Sequence, residues 1–224
     1  LWGQATPPSS VRFGANDVPV LPDGSFVLGL GRDASEQLTL EIVEPSQTSC
    51  QQTVMITSRA YKVDRVNGVP QKTVTPPPED LARIAREREK VRAAKAQRIL
   101  RPDLVAAAKA GFSWPAVGRI SGVYGSQRVY NGTPGNPHYG VDVAVPTGTP
   151  VIAPAPGVVT LAEPDLYYSG GTVILDHGYG LSSSFLHMSR VDVRVGDELR
   201  TGDRIGAVGA TGRATGPHLD WRMS

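Results

Sequence analysis

Residues 137–159 read PHYGVDVAVPTGTPVIAPAPGVV. Gly140, Val141, Val143 and Val145 disfavour helix and favour strand, and Pro146-Thr147-Gly148 and Pro154 set turns. The stretch is therefore short strands separated by tight turns. His138 and Asp142 are four residues apart, an even spacing that places both on one face of a strand. An imidazole and a carboxylate so placed suit a divalent transition metal, most often zinc. The pair is a weak signal on its own, so the surrounding chain has to decide.

Downstream, the same grammar continues. Thr172–Leu175 and Leu181–Met188 read as strands, Arg194-Val195-Gly196-Asp197 and Thr201-Gly202-Asp203 as turns, and Ile205–Gly209 as a small-residue strand. The segment ends on Thr215-Gly216-Pro217-His218-Leu219-Asp220-Trp221-Arg222, where His218 and Asp220 share a strand face. The chain has four histidines, at 138, 177, 187 and 218, all in its last third. With Asp142 and Asp220 they supply enough ligands and acid-base groups for a hydrolytic zinc site, in which three side chains hold the metal and an open position holds water.

Upstream, Phe26–Leu30, Gln37–Val43, Gln52–Thr57 and Ala60–Val66 read as strands of a small β-domain, with a further turn at Asn67-Gly68. Leu38, Leu40 and Ile42 alternate with Thr39 and Glu41, the pattern of a half-buried strand. This region carries no catalytic constellation and reads as an accessory or binding module. Thr75-Pro76-Pro77-Pro78 then breaks the pattern, and Glu79 opens a run of helix formers to about Leu100. Its apolar stripe of Leu81, Ile84, Val91 and Ala94 is thin, and its charges from Arg83 to Lys95 read as a solvated face with i,i+4 pairs. The other reading of those charges is a surface for an anionic polymer or membrane. A second helix, Pro102–Ala110, ends at Gly111. The fold class is mainly β: a β accessory domain over 1–70, a Pro-rich linker with charged helices over 71–112, and a β-rich domain over 113–224.

Composition narrows the function classes. The 224 residues include 25 Gly and 19 Pro but only 6% aromatics, which favours short strands and turns over a helical bundle. A formal charge of +2, with no long basic tract beside aromatic residues, argues against a nucleic-acid partner. Cys50 is the only cysteine, so neither an intrachain disulfide nor a cysteine metal cluster can form. No apolar run approaches the roughly 18–20 residues of a membrane span. The chain begins at Leu1 without a signal-type segment and reads as a mature or trimmed form of something longer.

The pieces HYGVD, PTGTPVIAPAPGVV, VILDHGYGLSSSFLHMS and VGDELRTGDRIGAVGATGRATGPHLDWRM resemble, in order and spacing, the LytM/lysostaphin-type zinc endopeptidases of peptidase family M23, which cut peptide cross-links in bacterial cell walls. The likeness spans about Ser121–Met223. It implies a LytM-like β-domain with an open groove, one Zn2+ ion, a peptidoglycan peptide as substrate and a periplasmic or secreted location. By resemblance His138 and Asp142 are the first two zinc ligands, His187 is the catalytic histidine of the xHxS segment, and His218 is the first histidine of the terminal HxH motif. His218 is then the base for the attacking water and His187 the donor to the oxyanion, roles that can be exchanged. His177 is outside the family's ligand set and reads as structural or groove-rim. Cys50 and the Tyr167-Tyr168 pair read as packing or groove surface.

One departure stands out. Where the family has a second histidine as third zinc ligand, this chain has Asp220. Either Asp220 binds zinc itself, or the site is degenerate and the protein is a wall-binding or amidase-activating module, or the site is substituted or rearranged. If Asp220 binds, one neutral imidazole and two carboxylates offset the metal's full charge, where the usual set leaves +1.

Overall fold

The computed structural model describes residues 1–46, 48–67 and 76–224. The expected boundary at residue 70, Gly68 of the Asn67-Gly68 turn and the start of the Pro-rich linker at Thr75 lie outside the described residues. By contact, Leu1–Ala60 with Leu100–Pro102 forms one unit, and Tyr61–Ile99 with Asp103–Ser224 a second.

The first unit contains β1 (Trp2–Gln4), β2 (Ser10–Phe13), β3 (Asn16–Val18), β4 (Ser25–Val27), β5 (Gln37–Val43) and β6 (Ser49–Met55). β1 pairs with β4, and the other four form an antiparallel sheet in the order β3-β2-β5-β6. As the alternation predicts, Leu38 and Leu40 of β5 are buried, and Leu40 joins Val11, Val18 and Phe26 in a small core. Cys50 is exposed on β6.

The second unit opens with β7 (Val63–Val66), a short 3-10 turn at Pro78–Asp80, helix α1 (Leu81–Ala96) and all but the first residue of helix α2 (Pro102–Ala110). Strands β8 (Arg119–Gly122), β9 (Gln127–Tyr130), β10 (Thr133–Pro134), β11 (Val141–Ala144), β12 (Pro150–Ile152), β13 (Gly157–Leu166), β14 (Gly170–Asp176), β15 (Ser182–Val191), β16 (Glu198–Leu199), β17 (Arg204–Val208) and β18 (Leu219–Met223) follow. Nine strands make one sheet in the order β16-β13-β14-β15-β18-β11-β8, with β17 pairing both β15 and β12. Its core includes Val143, Val151, Leu175, Phe185, Ile205 and Leu219, each 0% exposed. β14 is buried at every position and β15 over its first seven residues, so both faces of the sheet are covered at its centre.

Two local expectations are corrected. The strand expected over 60–66 spans Val63–Val66 and runs parallel to β9, not beside the strands that precede it. Helix α1 stops at Ala96 rather than near Leu100. The charged face of α1 is solvated, with Arg86, Arg88, Glu89 and Arg92 exposed, while its thin stripe docks. Ala94 and half-buried Val91 pack on Leu161, Leu166 and Ile174, and Arg83 and Lys90 reach across to Asp165 and Glu163 of β13 at 3.0 and 2.8 Å. The Arg83–Glu87 i,i+4 pair does form, at 2.6 Å. Small side chains on α1 allow close approach to the sheet, so a stripe that is thin in the sequence suffices for docking.

Among the described residues no helix is long and apolar enough to cross a membrane.

Candidate metal centre

Asp142 and Asp220 are cross-strand partners: β11 and β18 pair with Asp142 opposite Asp220. Directly opposed residues on one sheet face lie about 4.5–5.5 Å apart at Cβ, so two carboxylates placed there repel unless a cation separates them. His138 supplies the third donor, though not from a strand. It lies before β11, and the spacing argument fails because Pro137 and Gly140 keep the chain out of regular pairing there. A turn fixes it instead. The His138 N–H donates to Ser126 O at 2.8 Å, and the Gly125 N–H donates to His138 O at 2.7 Å.

The three donors meet all the same. His138 Nε2 is 3.0 Å from Asp142 Oδ1 and 3.4 Å from Asp220 Oδ2, and one ligand atom from each residue lies within 4.8 Å of the other two. His138 Nδ1 faces Val123 O at 3.3 Å, a carbonyl that can only accept. The proton therefore sits on Nδ1, and the Nε2 lone pair faces the carboxylates, the tautomer a metal ligand needs. Both His138 Nε2 and Asp142 Oδ1 are buried without a hydrogen-bond partner. Orphaned donor atoms converging on one point fit a divalent cation. The same two carboxylates favour positive charge at the His138 ring: burial works to lower the His138 pKa, yet contacts with Asp142 and Asp220 outweigh it and push the group up to about 10.

Two glycines make room for the carboxylates. A Cβ on Gly122 would overlap Asp142 Oδ2, and one on Gly140 would overlap Asp220 Oδ1 and come 2.7 Å from Trp221 O. The need at both is for space.

Beside the donors stand two imidazoles. His218 lies just before β18, with Nε2 3.8 Å from Asp142 Oδ1 and Nδ1 2.7 Å from Gly216 O. His187 is on β15, its ring 4.8 Å from that of His218, with Nδ1 2.9 Å from Thr211 O. Each Nδ1 faces a carbonyl, so each neutral ring keeps its lone pair on Nε2. Burial first, then the neighbouring His218, hold the His187 pKa below its ordinary value. That direction favours the neutral ring.

His187 has φ +65°, unusual for a residue with a side chain. The cause is topological. Up to Leu186, opposite Asp220, β15 pairs with β18; from Met188, opposite Val208, it pairs with β17. His187 sits where the strand changes partner, and its N–H donates to Ser169 O at the β13–β14 hairpin tip, at 2.8 Å. That tip is tied to α1, because the Tyr167 N–H donates to Glu87 Oε2 at 2.7 Å. Tyr167 and Tyr168 stack edge to face there, and the Arg213 guanidinium lies 4.6 Å from the Tyr168 ring centre.

His177 is apart from this group. It is 0% exposed, with Nδ1 2.7 Å from Pro156 O and Nε2 2.8 Å from Ser183 Oγ. Burial lowers its pKa to about 4. It is a satisfied, neutral core residue.

Arg222 was not among the expected site residues. Its Nε lies 3.0 and 3.1 Å from the two Asp220 oxygens and its Nη2 2.6 Å from Oδ2. Burial would raise the Asp220 pKa, but His138 and Arg222 hold it well below the usual carboxylate range. The period-2 rule was the available signal, since residues 218, 220 and 222 share one strand face.

A sequence profile described as peptidase family M23 matches residues 136–224. The chain is 41% identical over 87 residues to the peptidoglycan DD-endopeptidase ShyA of Vibrio cholerae, covering 39% of this chain and 20% of that protein. It is 43% identical over 84 residues to the DD-carboxypeptidase/endopeptidase Mpg of Neisseria meningitidis, covering 38% and 19%. The matched stretch thus spans about a fifth of the length of these curated relatives. A crystal structure of a Pseudomonas aeruginosa protein assigned to peptidase M23 superposes with a TM-score of 0.74 at 31% identity, covering 99% of this chain and 84% of that one. With that likeness covering 99% of the chain, and with the converged His138, Asp142 and Asp220 donors beside the His187 and His218 imidazoles, the chain belongs to peptidase family M23.

Proposed function

We propose that this protein is a zinc-dependent endopeptidase that hydrolyses peptide cross-links of bacterial peptidoglycan, acting in the periplasm or outside the cell. The observation that carries the reading is the meeting of His138 Nε2, Asp142 Oδ1 and Asp220 Oδ2 beside His187 and His218. His138, Asp142 and Asp220 would hold the ion. Bound zinc would supply the Lewis acidity that polarises a scissile carbonyl and makes water acidic enough to give up a proton near neutral pH.

The chain's own groups do the rest. His218, with its Nε2 lone pair on the Asp142 side of the site, accepts the proton of the attacking water. His187 in its neutral form can only accept at Nε2, so it donates to the oxyanion after taking a proton, and the exchanged assignment uses the same atoms. The supporting comparison is with relatives named as peptidoglycan DD-endopeptidase and DD-carboxypeptidase/endopeptidase. A wall-binding or amidase-activating role explains less, because such a module has no chemical need for two imidazoles beside three converged donors. We assign residues 1–70 an accessory role, 71–112 a linker that includes the sheet-docked helix, and 113–224 the chemistry.

The test is cleavage of purified cross-linked muropeptides by protein stripped with a chelator and then reloaded with zinc. The reading requires loss and recovery of cleavage; cleavage that survives stripping refutes it.

A further inference from the structure

Asp220 replaces a neutral ligand with a charged one, and a compensating charge lies two residues further along the same strand. Asp220 is 3% exposed, and the Arg222 guanidinium meets both its oxygens while its own side chain stays 32% exposed. A carboxylate has about four lone-pair sites, so one that accepts from a guanidinium can still face His138 and a cation. Gly140 leaves the space in which the pair lies: a Cβ there would also come 2.7 Å from Arg222 Cγ.

We propose that Asp220 and Arg222 act as one ligand unit in place of the family's third imidazole, with Arg222 the positioning residue that orients Asp220 and cancels one of the site's two negative charges. Asp142, Asp220 and Arg222 together carry −1, the same as two imidazoles and one carboxylate. This rests on the metallopeptidase reading and explains how an aspartate can occupy that position without changing the electrostatics of the site.

The charge sum is −1 for the parent, −2 for Arg222→Gln, 0 for Asp220→His, and −1 for the double variant. The test is calorimetric titration of the four metal-free proteins with zinc alone at pH 7, with near-UV circular dichroism to establish folding. Zinc affinity should rise on the order of tenfold or more in Arg222→Gln, fall by a similar factor in Asp220→His, and return to near the parent value in the double variant. Arg222→Lys, which keeps the charge, should stay within about threefold of the parent, and it decides the matter should Asp220→His not fold. Arg222→Gln should also cleave with a lower kcat at unchanged KM while holding zinc more tightly, a combination that a purely structural role would not produce. The proposal is overturned if Asp220→His alone binds zinc more tightly than the parent, or if Arg222→Gln binds like Arg222→Lys. A parent that takes up no zinc would remove the metallopeptidase reading itself, and this proposal with it.

Discussion

At His187 the ordinary ranking of alanine and glycine should invert. With φ +65°, the residue sits in the left-handed region, where a Cβ costs roughly 1–2 kcal/mol. Replacing His187 by Ala or by Gly removes the same ring, which is 7% exposed, so the loss of packing is common to both variants. Only the backbone terms differ. Glycine is disfavoured by about 0.5–1 kcal/mol through its greater freedom in the unfolded chain, and it escapes the left-handed cost. The difference favours His187→Gly over His187→Ala by about 0.5–1 kcal/mol, or about 2 °C in Tm for a chain of this size. Urea denaturation of the two metal-free proteins reads it directly. Both variants should keep one zinc and lose cleavage, because His187 is outside the donor cluster. If alanine is as stable as glycine, the strand's change of partner at His187 does not impose the left-handed backbone; loss of zinc in either variant contradicts the division of roles.

Further predictions follow from single residues. Gly140→Ala places a methyl against Asp220 Oδ1 and Trp221 O, and should cost about 1–3 kcal/mol and weaken zinc binding, read by melting and metal titration. Unchanged affinity would mean that Asp220 is not held against that glycine. For His177 the folded pKa, about 4, lies below the unfolded value near 6.5, so its contribution to stability is complete above pH 6.5 and is lost as pH falls toward 4. Between pH 7 and 4.5 the parent should lose about 2 kcal/mol more stability than His177→Gln; equal losses would show that the buried ring is not neutral. Glu87→Ala removes the acceptor of the Tyr167 N–H and of Arg83, and should destabilise by about 1–2 kcal/mol with faster amide exchange at Tyr167. Unaltered exchange would argue against α1 as a prop for the hairpin.

The strand grammar was legible because it is local. Gln37–Val43 alternates as a half-buried strand should, and Pro102–Ala110 begins and ends at the residues that favour helix ends. The parts that were not legible depend on distant partners. No pattern within Val63–Val66 points to a parallel neighbour more than sixty residues away, and α1 docks through small side chains that give no strong stripe. His138 reached its place by a turn whose other half is Gly125 and Ser126, so strand spacing gave the right neighbour through the wrong geometry. The charge count at the site was incomplete for a different reason. Arg222 was in view on the same strand face as Asp220, and only the contact distances reveal that it belongs in the sum.

The central claim is that Asp220, with His138 and Asp142, holds a catalytic zinc ion. It is tested most directly by measuring bound zinc and muropeptide cleavage together in the parent and in Asp220→Ala. The account predicts one zinc per chain and cleavage in the parent, with both lost in the variant. A parent that cleaves without zinc, or an Asp220→Ala protein that keeps the metal and the activity, would contradict it.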